Sequence, residues 1–254
     1  MRVFVISKKM LKIYSLAAIA LIGIYIGGTN LGEAVFTGAG TSKELPIYCV
    51  DTPEKKIALT FDAAWGNEDT DELIQVLADN SAKASFFVVG GWADRFPDSV
   101  KAFHDAGHEI LNHSDTHAHM SGLSAQQISD ELNNCENKIK NITGIEHKLF
   151  RAPYGEYDDN LIKCAREAGY TTIQWDADSL DWKDLSAEEI NKRVLSKVEN
   201  GSIILLHNGA KNTPEALKTL LPALKEKGFE CVTVSELIYS DNYRIDNSGK
   251  QFKN

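Results

Sequence analysis

The sequence predicts an α/β fold, a distorted and incomplete (β/α) barrel of about seven parallel strands, and three observations predict it. Short apolar runs alternate with amphipathic helical patterns through most of the chain, as parallel strands do when joined by helical crossovers. No glycine-rich G-x-G-x-x-G follows the first strand and no P-loop occurs anywhere, which argues against the competing doubly wound open sheet. Polar side chains also recur where strands end: Asp62, His113, Arg151, Asp178 and His207. A barrel gathers such ends onto one rim, whereas an open sheet strings them along an edge.

In chain order, Ile57 to Phe61 reads as strand one, and Asp69 to Ala78 as a helix with Leu73, Ile74 and Leu77 on one face. Ala84 to Val89 is strand two, Pro97 to Ala106 a helix, and Gly107 to Leu111 strand three. Ser124 to Ile142 is a long helix, with Ser124 at the cap and Gln127 at the capping-box position. Lys148 to Phe150 is strand four, and Asp158 to Ala168 a helix stopped by Gly169. Thr171 to Trp175 is strand five. Ser186 to Val198 is a helix opening on a second capping box, with Glu189 as its acid, and Ile203 to Leu206 is strand six. Pro214 to Lys227 is helical up to Gly228, and Cys231 to Val234 is strand seven.

Outside these elements, residues 1–28 carry Arg2, Lys8, Lys9 and Lys12 before the uncharged run Ile13 to Gly28. A basic flank before an apolar run reads as a signal-anchor segment that places the following chain outside the cytoplasm. Without a convincing small-residue cleavage site, an anchor is favoured over a cleaved peptide. Residues 29–52 read as a linker, 53–240 as the folded domain and 241–254 as a polar, frayed tail. The net charge of −9 argues against a nucleic-acid partner, which needs clustered Lys and Arg, and leaves a neutral polymer as the easier substrate. Cys49, Cys135, Cys164 and Cys231 form no CxxC, so a structural zinc knuckle is not expected.

The organising motif is His113-Ser114-Asp115-Thr116-His117. Two imidazoles on one short segment converge on a metal ion if the segment turns after its strand, and a pair of surface histidines is the alternative. Asp62 at a strand end is either a helix cap or a general base. Arg151 is a surface residue before a turn or the cation that keeps Asp62 ionised. Pro153 stiffens the following turn, so that the Tyr154 N–H could face a developing oxyanion. The stretch from Trp175 to Trp182 sets three carboxylates between two tryptophans, a composition suited to sugar faces and hydroxyls. His207 closes an aliphatic run and becomes a usable proton donor if Asp178 contacts its ring. Asn141-Ile142-Thr143, a glycosylation-type triplet, and His119 are set aside as decoys.

Taken together and in order, Thr60-Phe61-Asp62, the His113/His117 pair, Arg151-Ala152-Pro153-Tyr154, Asp178 to Trp182 and Leu205-Leu206-His207 resemble the polysaccharide deacetylases with the NodB homology domain, carbohydrate esterase family 4. The likeness covers roughly Pro53 to Tyr239. It implies an incomplete β/α barrel that removes acetyl groups from cell-wall or chitin-like amino-sugar polymers with a divalent metal, often zinc. By this resemblance His113 and His117 are metal ligands, Asp62 the base and Arg151 its partner. Tyr154 gives an oxyanion N–H, and Asp178 tunes the acid His207, with Asp181 as rival. Trp182 and Leu205 wall the acetyl pocket. One departure matters: the family's second aspartate, its third metal ligand, is Ala63 here. The form Thr-Phe-Asp-x-x-Trp-Gly resembles the sporulation-associated, PdaB-like subgroup, which implies a role at the spore wall or cortex. The alternatives are a deacetylase-fold glycan-binding protein of weak or absent turnover, and a glycosidase using Asp178 and Asp181, which leaves the histidines unexplained. Serine hydrolase chemistry is not expected without a G-x-S-x-G elbow.

Overall fold

A computed structural model describes residues 43–254. The apolar run at Ile13 to Gly28 lies outside the described residues, and among those described no helix is long and apolar enough to cross a membrane. The strands are β1 (Cys49–Val50), β2 (Lys56–Ala63), β3 (Ser85–Val88), β4 (Glu109–Asn112), β5 (Leu149–Phe150), β6 (Thr171–Thr172), β7 (Ala177–Asp178), β8 (Ile203–His207), β9 (Glu230–Val232), β10 (Tyr243–Ile245) and β11 (Lys250–Lys253). The helices are α1 (Thr70–Asp79), α2 (Gly90–Arg95), α3 (Pro97–Asp105), α4 (Ala125–Thr143), α5 (Asp159–Glu167), α6 (Ala187–Leu195), α7 (Thr213–Glu226) and α8 (Val234–Leu237).

The main sheet runs β6-β5-β4-β3-β2-β8-β7, and β9 pairs with the first half of β2. Every pairing is parallel. The sheet curls but does not close, so the incomplete barrel expected from sequence is the fold observed. β2 is its central strand. Ile57, Leu59, Phe61 and Ala63 pack in the larger core, among helix residues such as Leu73, Trp92 and Leu220. Ala58 lies on the other face, with Phe87, Leu111 and Ile203. A strand covered on both sides reads as a continuous apolar run, which is why this one shows no alternation in sequence.

Both expected capping boxes form, at Ser124/Gln127 and Ser186/Glu189. A third, Thr233/Glu236, starts α8, where the sequence reading continued strand seven to Val234. α2 and β7 are too short to show a period and were not expected.

Two domain boundaries need correction. The linker expected at residues 29–52 contributes its end to the fold: Ile47 and Val50 are fully buried, and the Ile47 N–H donates to Thr172 O at 2.9 Å while Val50 N–H donates to Gly201 O at 2.9 Å. The arm therefore bonds to the chain beyond β5 and before β8, where the barrel is open. The tail expected to fray forms β10 and β11, and β11 runs parallel to β1. Buried Gln251 ties this hairpin down through both ends of its amide, to Tyr239 N at 2.9 Å and Tyr239 O at 2.7 Å. A polar sequence hid an edge that pairs with the arm.

Candidate active site

Asp62, the last residue but one of β2, lies beside His207 of β8, its direct register partner. The Asp62 carboxylate is 6% exposed, and Arg151 Nη1 donates to its Oδ1 at 2.7 Å. Arg151 is itself fully buried; its Nη2 donates to Gln174 O at 3.1 Å and its guanidinium lies 4.0 Å from the Phe87 ring centre. Burial alone would raise the Asp62 pKa, but the charges of Arg151 and His207 beside it hold it below the ordinary carboxylate value.

His113 follows β4, and its Nδ1 lies 2.8 Å from Arg151 O, which makes Nδ1 the protonated nitrogen. Burial lowers the pKa of this imidazole despite the pull of Asp62, and lowers that of His117 to about 4. Neutral His113 thus turns the lone pair of Nε2 toward Asp62 Oδ2, 3.4 Å away. Two acceptors facing each other in a buried site call for a proton or a cation between them. The His113 and His117 ring centres are 5.1 Å apart, and both side chains line the cleft.

Helix α4 shapes the loop between the histidines. The Glu131 carboxylate accepts the N–H groups of Asp115 and Thr116 at 2.9 Å each, and Thr116 Oγ1 at 2.7 Å. Lys138 Nζ reaches Asp115 Oδ1 at 2.7 Å, and Ser114 Oγ accepts the His117 N–H at 3.0 Å. Ser114 and His117 have φ values of 67° and 59°, left-handed conformations that such bonds hold in place.

These residues fit a metal in part. His113 and His117 supply neutral imidazoles, and the facing acceptors at Asp62 and His113 suit a cation. Ala63 offers no donor, is fully buried and packs in the helix-facing core. Asn67 and Asp115, the other conceivable oxygen donors, do not line the cleft; Asn67 Nδ2 donates to Ser99 Oγ, and Asp115 Oδ1 accepts from Lys138. Among the described residues no group of three or more His, Cys, Asp or Glu is arranged to hold a metal ion, so the two histidines stand without a third ligand.

Asp178, favoured over its rival Asp181 as the partner of His207, does not contact the ring; Asp181 does. Asp181 Oδ1 lies 2.7 Å from His207 Nδ1, while its Oδ2 accepts the His207 N–H at 2.8 Å and Thr213 Oγ1 at 2.6 Å. Asp178 lines the cleft but turns Oδ1 onto the Leu180 N–H at 2.9 Å. The reason is local: Leu180 adopts φ 54° and a 3-10 turn over Asp181–Lys183 swings Asp181 inward, where it is 2% exposed. Burial opposes the charged form of His207, but Asp181 outweighs it and raises the pKa above the ordinary histidine value, with help from Asp62 and Asp178.

The cleft holds about 520 Å³, with Leu205, Trp182 and Tyr154 on its walls. Pro153 starts a 3-10 turn, and Tyr154 follows at φ 61°. Its N–H is at the second position of the turn, where helices leave N–H groups unpaired. Trp65, which the sequence reading gave no role, stacks on His207 with ring centres 5.1 Å apart. His119, set aside from sequence, stacks on Tyr154 at 4.2 Å and contacts Glu156 at 2.7 Å. A base held ionised and an acid held protonated, side by side beneath one cleft, are equipped to hydrolyse an amide or ester.

The polysaccharide deacetylase family profile matches residues 50–173. A peptidoglycan-N-acetylglucosamine deacetylase of Bacillus cereus is 36% identical over 74% of this chain and 91% of its own length. YlxY of Bacillus subtilis, an uncharacterized protein, is 34% identical over 76% of this chain, which spans 60% of that relative's length. Among solved structures, wild-type BA3943 from Bacillus anthracis, described as a family 4 pseudoenzyme, superimposes with a TM-score of 0.74 at 32% identity, over 83% of this chain and 74% of that one. A BA3943 mutant with restored enzymatic activity has a TM-score of 0.73 at 35% identity, over 76% of this chain and 71% of that one. On fold, motif order and sequence, this chain belongs to the polysaccharide deacetylases of carbohydrate esterase family 4, a family of hydrolases that act on amides.

Proposed function

We propose that the chain is a metal-dependent deacetylase of cell-wall amino sugars, held at the outer face of a membrane by its N-terminal apolar run and used in building the spore wall or cortex. The observation that carries the chemistry is the pairing of Asp62, held ionised, with His207, held protonated, at adjacent strand ends under one cleft. Water attacks the amide carbonyl carbon and gives its proton to the Asp62 carboxylate. The Tyr154 N–H receives the developing oxyanion. His207 then gives its Nε2 proton to the departing nitrogen, so the C–N bond breaks to a free amine and acetate. Arg151 keeps Asp62 ionised, and Asp181 holds the imidazole by its other nitrogen. Trp182 and Leu205 bound the space for the acetyl methyl. A divalent metal, zinc in this reading, would be held by His113 and His117 and would supply positive charge to the reacting oxygens.

Ala63 favours a second reading, a deacetylase-fold protein that holds glycan with little or no turnover, and BA3943, described as a family 4 pseudoenzyme, supports the loss of turnover in that reading. Acetate release from N-acetylated peptidoglycan fragments separates the two. The first reading expects release that Asp62→Asn and His207→Ala both abolish without loss of fold. Glycan binding without acetate establishes the second.

A further inference from the structure

Among the described residues four large apolar side chains stand well exposed, and three of them, Trp65 (47%), Tyr154 (55%) and Trp182 (50%), line the cleft above Asp62. Trp65 is the one with the most elaborate support. The adjoining Gly66 carbonyl accepts Trp92 Nε1 at 3.0 Å and Asn208 Nδ2 at 2.7 Å, both from fully buried residues. Asp69, at the far end of the same loop, accepts the Gly209 N–H at 2.8 Å. Gly209 has φ 70°, and a Cβ there would come within 3.2 Å of Gly66 N, so the two loops touch backbone to backbone. Core and β8 loop thus hold in place an indole that is itself half in solvent. Such an arrangement does little for the core, since the apolar surface it organises is left wet.

The stacking geometry shows what the exposed surface faces. The Trp65 and His207 rings are within 22° of parallel, yet their centres are 5.1 Å apart. Rings in face contact lie about 3.5–4.0 Å apart, so these are offset, and part of the indole projects past the imidazole.

We propose that Trp65 is a sugar-binding platform that seats the pyranose ring of the substrate against the cleft wall next to His207. This rests on the deacetylase reading for the identity of the sugar. A β-linked, gluco-configured amino sugar carries its ring substituents equatorially and offers an apolar C–H face that fits an indole. The hydroxyls at the ring edge then meet the polar side of the cleft, where Asp178 lies. Position 65 therefore sets affinity for the glycan.

The test is calorimetric titration of an N-acetylglucosamine tetramer into the wild-type protein, Trp65→Ala and Trp65→Phe, with acetate followed in the same samples and folding checked by thermal melting. Trp65→Ala should bind about tenfold more weakly, and Trp65→Phe should recover most of the affinity. Where acetate is released, the loss should fall on KM more than on kcat. Equal affinity of Trp65→Ala and wild type, or no tetramer binding by wild type, overturns the platform. Tetramer binding without acetate counts against the hydrolase alone, and the Trp65→Ala affinity still decides for or against the platform.

Discussion

At the scale of single residues, charge placement sets the expected pH behaviour. Asp62 works as a base above its own pKa, which its neighbours hold below the ordinary carboxylate value, so the acid limb of kcat/KM should lie low. His207 works as an acid below its pKa, which Asp181 raises, so activity should fall only as pH rises past the ordinary histidine range. Asp181→Asn removes that anion and should move the alkaline limb to lower pH, with a loss in rate on the order of a hundredfold. An unmoved limb would mean that Asp181 only holds the β8 loop. Position 63 makes a separate prediction. A carboxylate placed among the apolar neighbours of Ala63 should destabilise the metal-free protein by about 1–3 kcal/mol, yet it also offers the missing ligand oxygen. Melting of Ala63→Asp with a chelator and with zinc should show a larger zinc-induced rise in Tm than the wild type. Equal rises would show that the new carboxylate does not reach the histidines. Asp62, His113, His117, Arg151 and His207 were legible in sequence because each stands at or just after a strand end, and the barrel brings those ends together. Asp181 took the place given to Asp178 because a left-handed residue at Leu180 decides which carboxylate turns inward, and neighbouring sequence does not encode that visibly.

At the scale of elements, α4 is the scaffold of the histidine loop. Glu131 satisfies two loop N–H groups and a hydroxyl, which leaves both histidines on a segment that turns. Glu131→Ala should therefore weaken zinc binding roughly 10–100-fold while the helix itself persists, as measured by competition with a chromophoric chelator. Unchanged affinity would assign the loop's shape to the Asn112 and Ser114 bonds instead. The helix was foreseen from its capping box and period. Its hold on the loop was not, because that depends on which face of a long amphipathic helix passes under the rim. Trp65 escaped for a related reason: an aromatic residue in a glycine-containing loop has no period, and its meaning comes from Trp92 and Asn208, far away in sequence.

At the scale of the whole molecule, the incomplete barrel is finished by its own flanks. The arm carrying Ile47 and Val50 and the β10–β11 hairpin pack onto the unclosed sheet, so a fragment of residues 53–240 should be less stable than residues 43–254. Losing the burial that those two side chains supply costs about 3–6 kcal/mol, which a denaturant titration of both fragments would measure. Equal midpoints would show that the flanks are ornamental. Seven main-sheet strands were readable from alternation of apolar runs, whereas the flanking sheet was missed because polar edge strands resemble loops until a partner is placed beside them. In the proposed function Asp62 and His207 make this cleft a hydrolytic one, despite Ala63. The most direct measurement is acetate released from N-acetylated peptidoglycan fragments by the purified wild-type protein with zinc added. Steady release that stops in Asp62→Asn is expected; fragments that bind in the cleft and keep every acetyl group would overturn the hydrolytic reading.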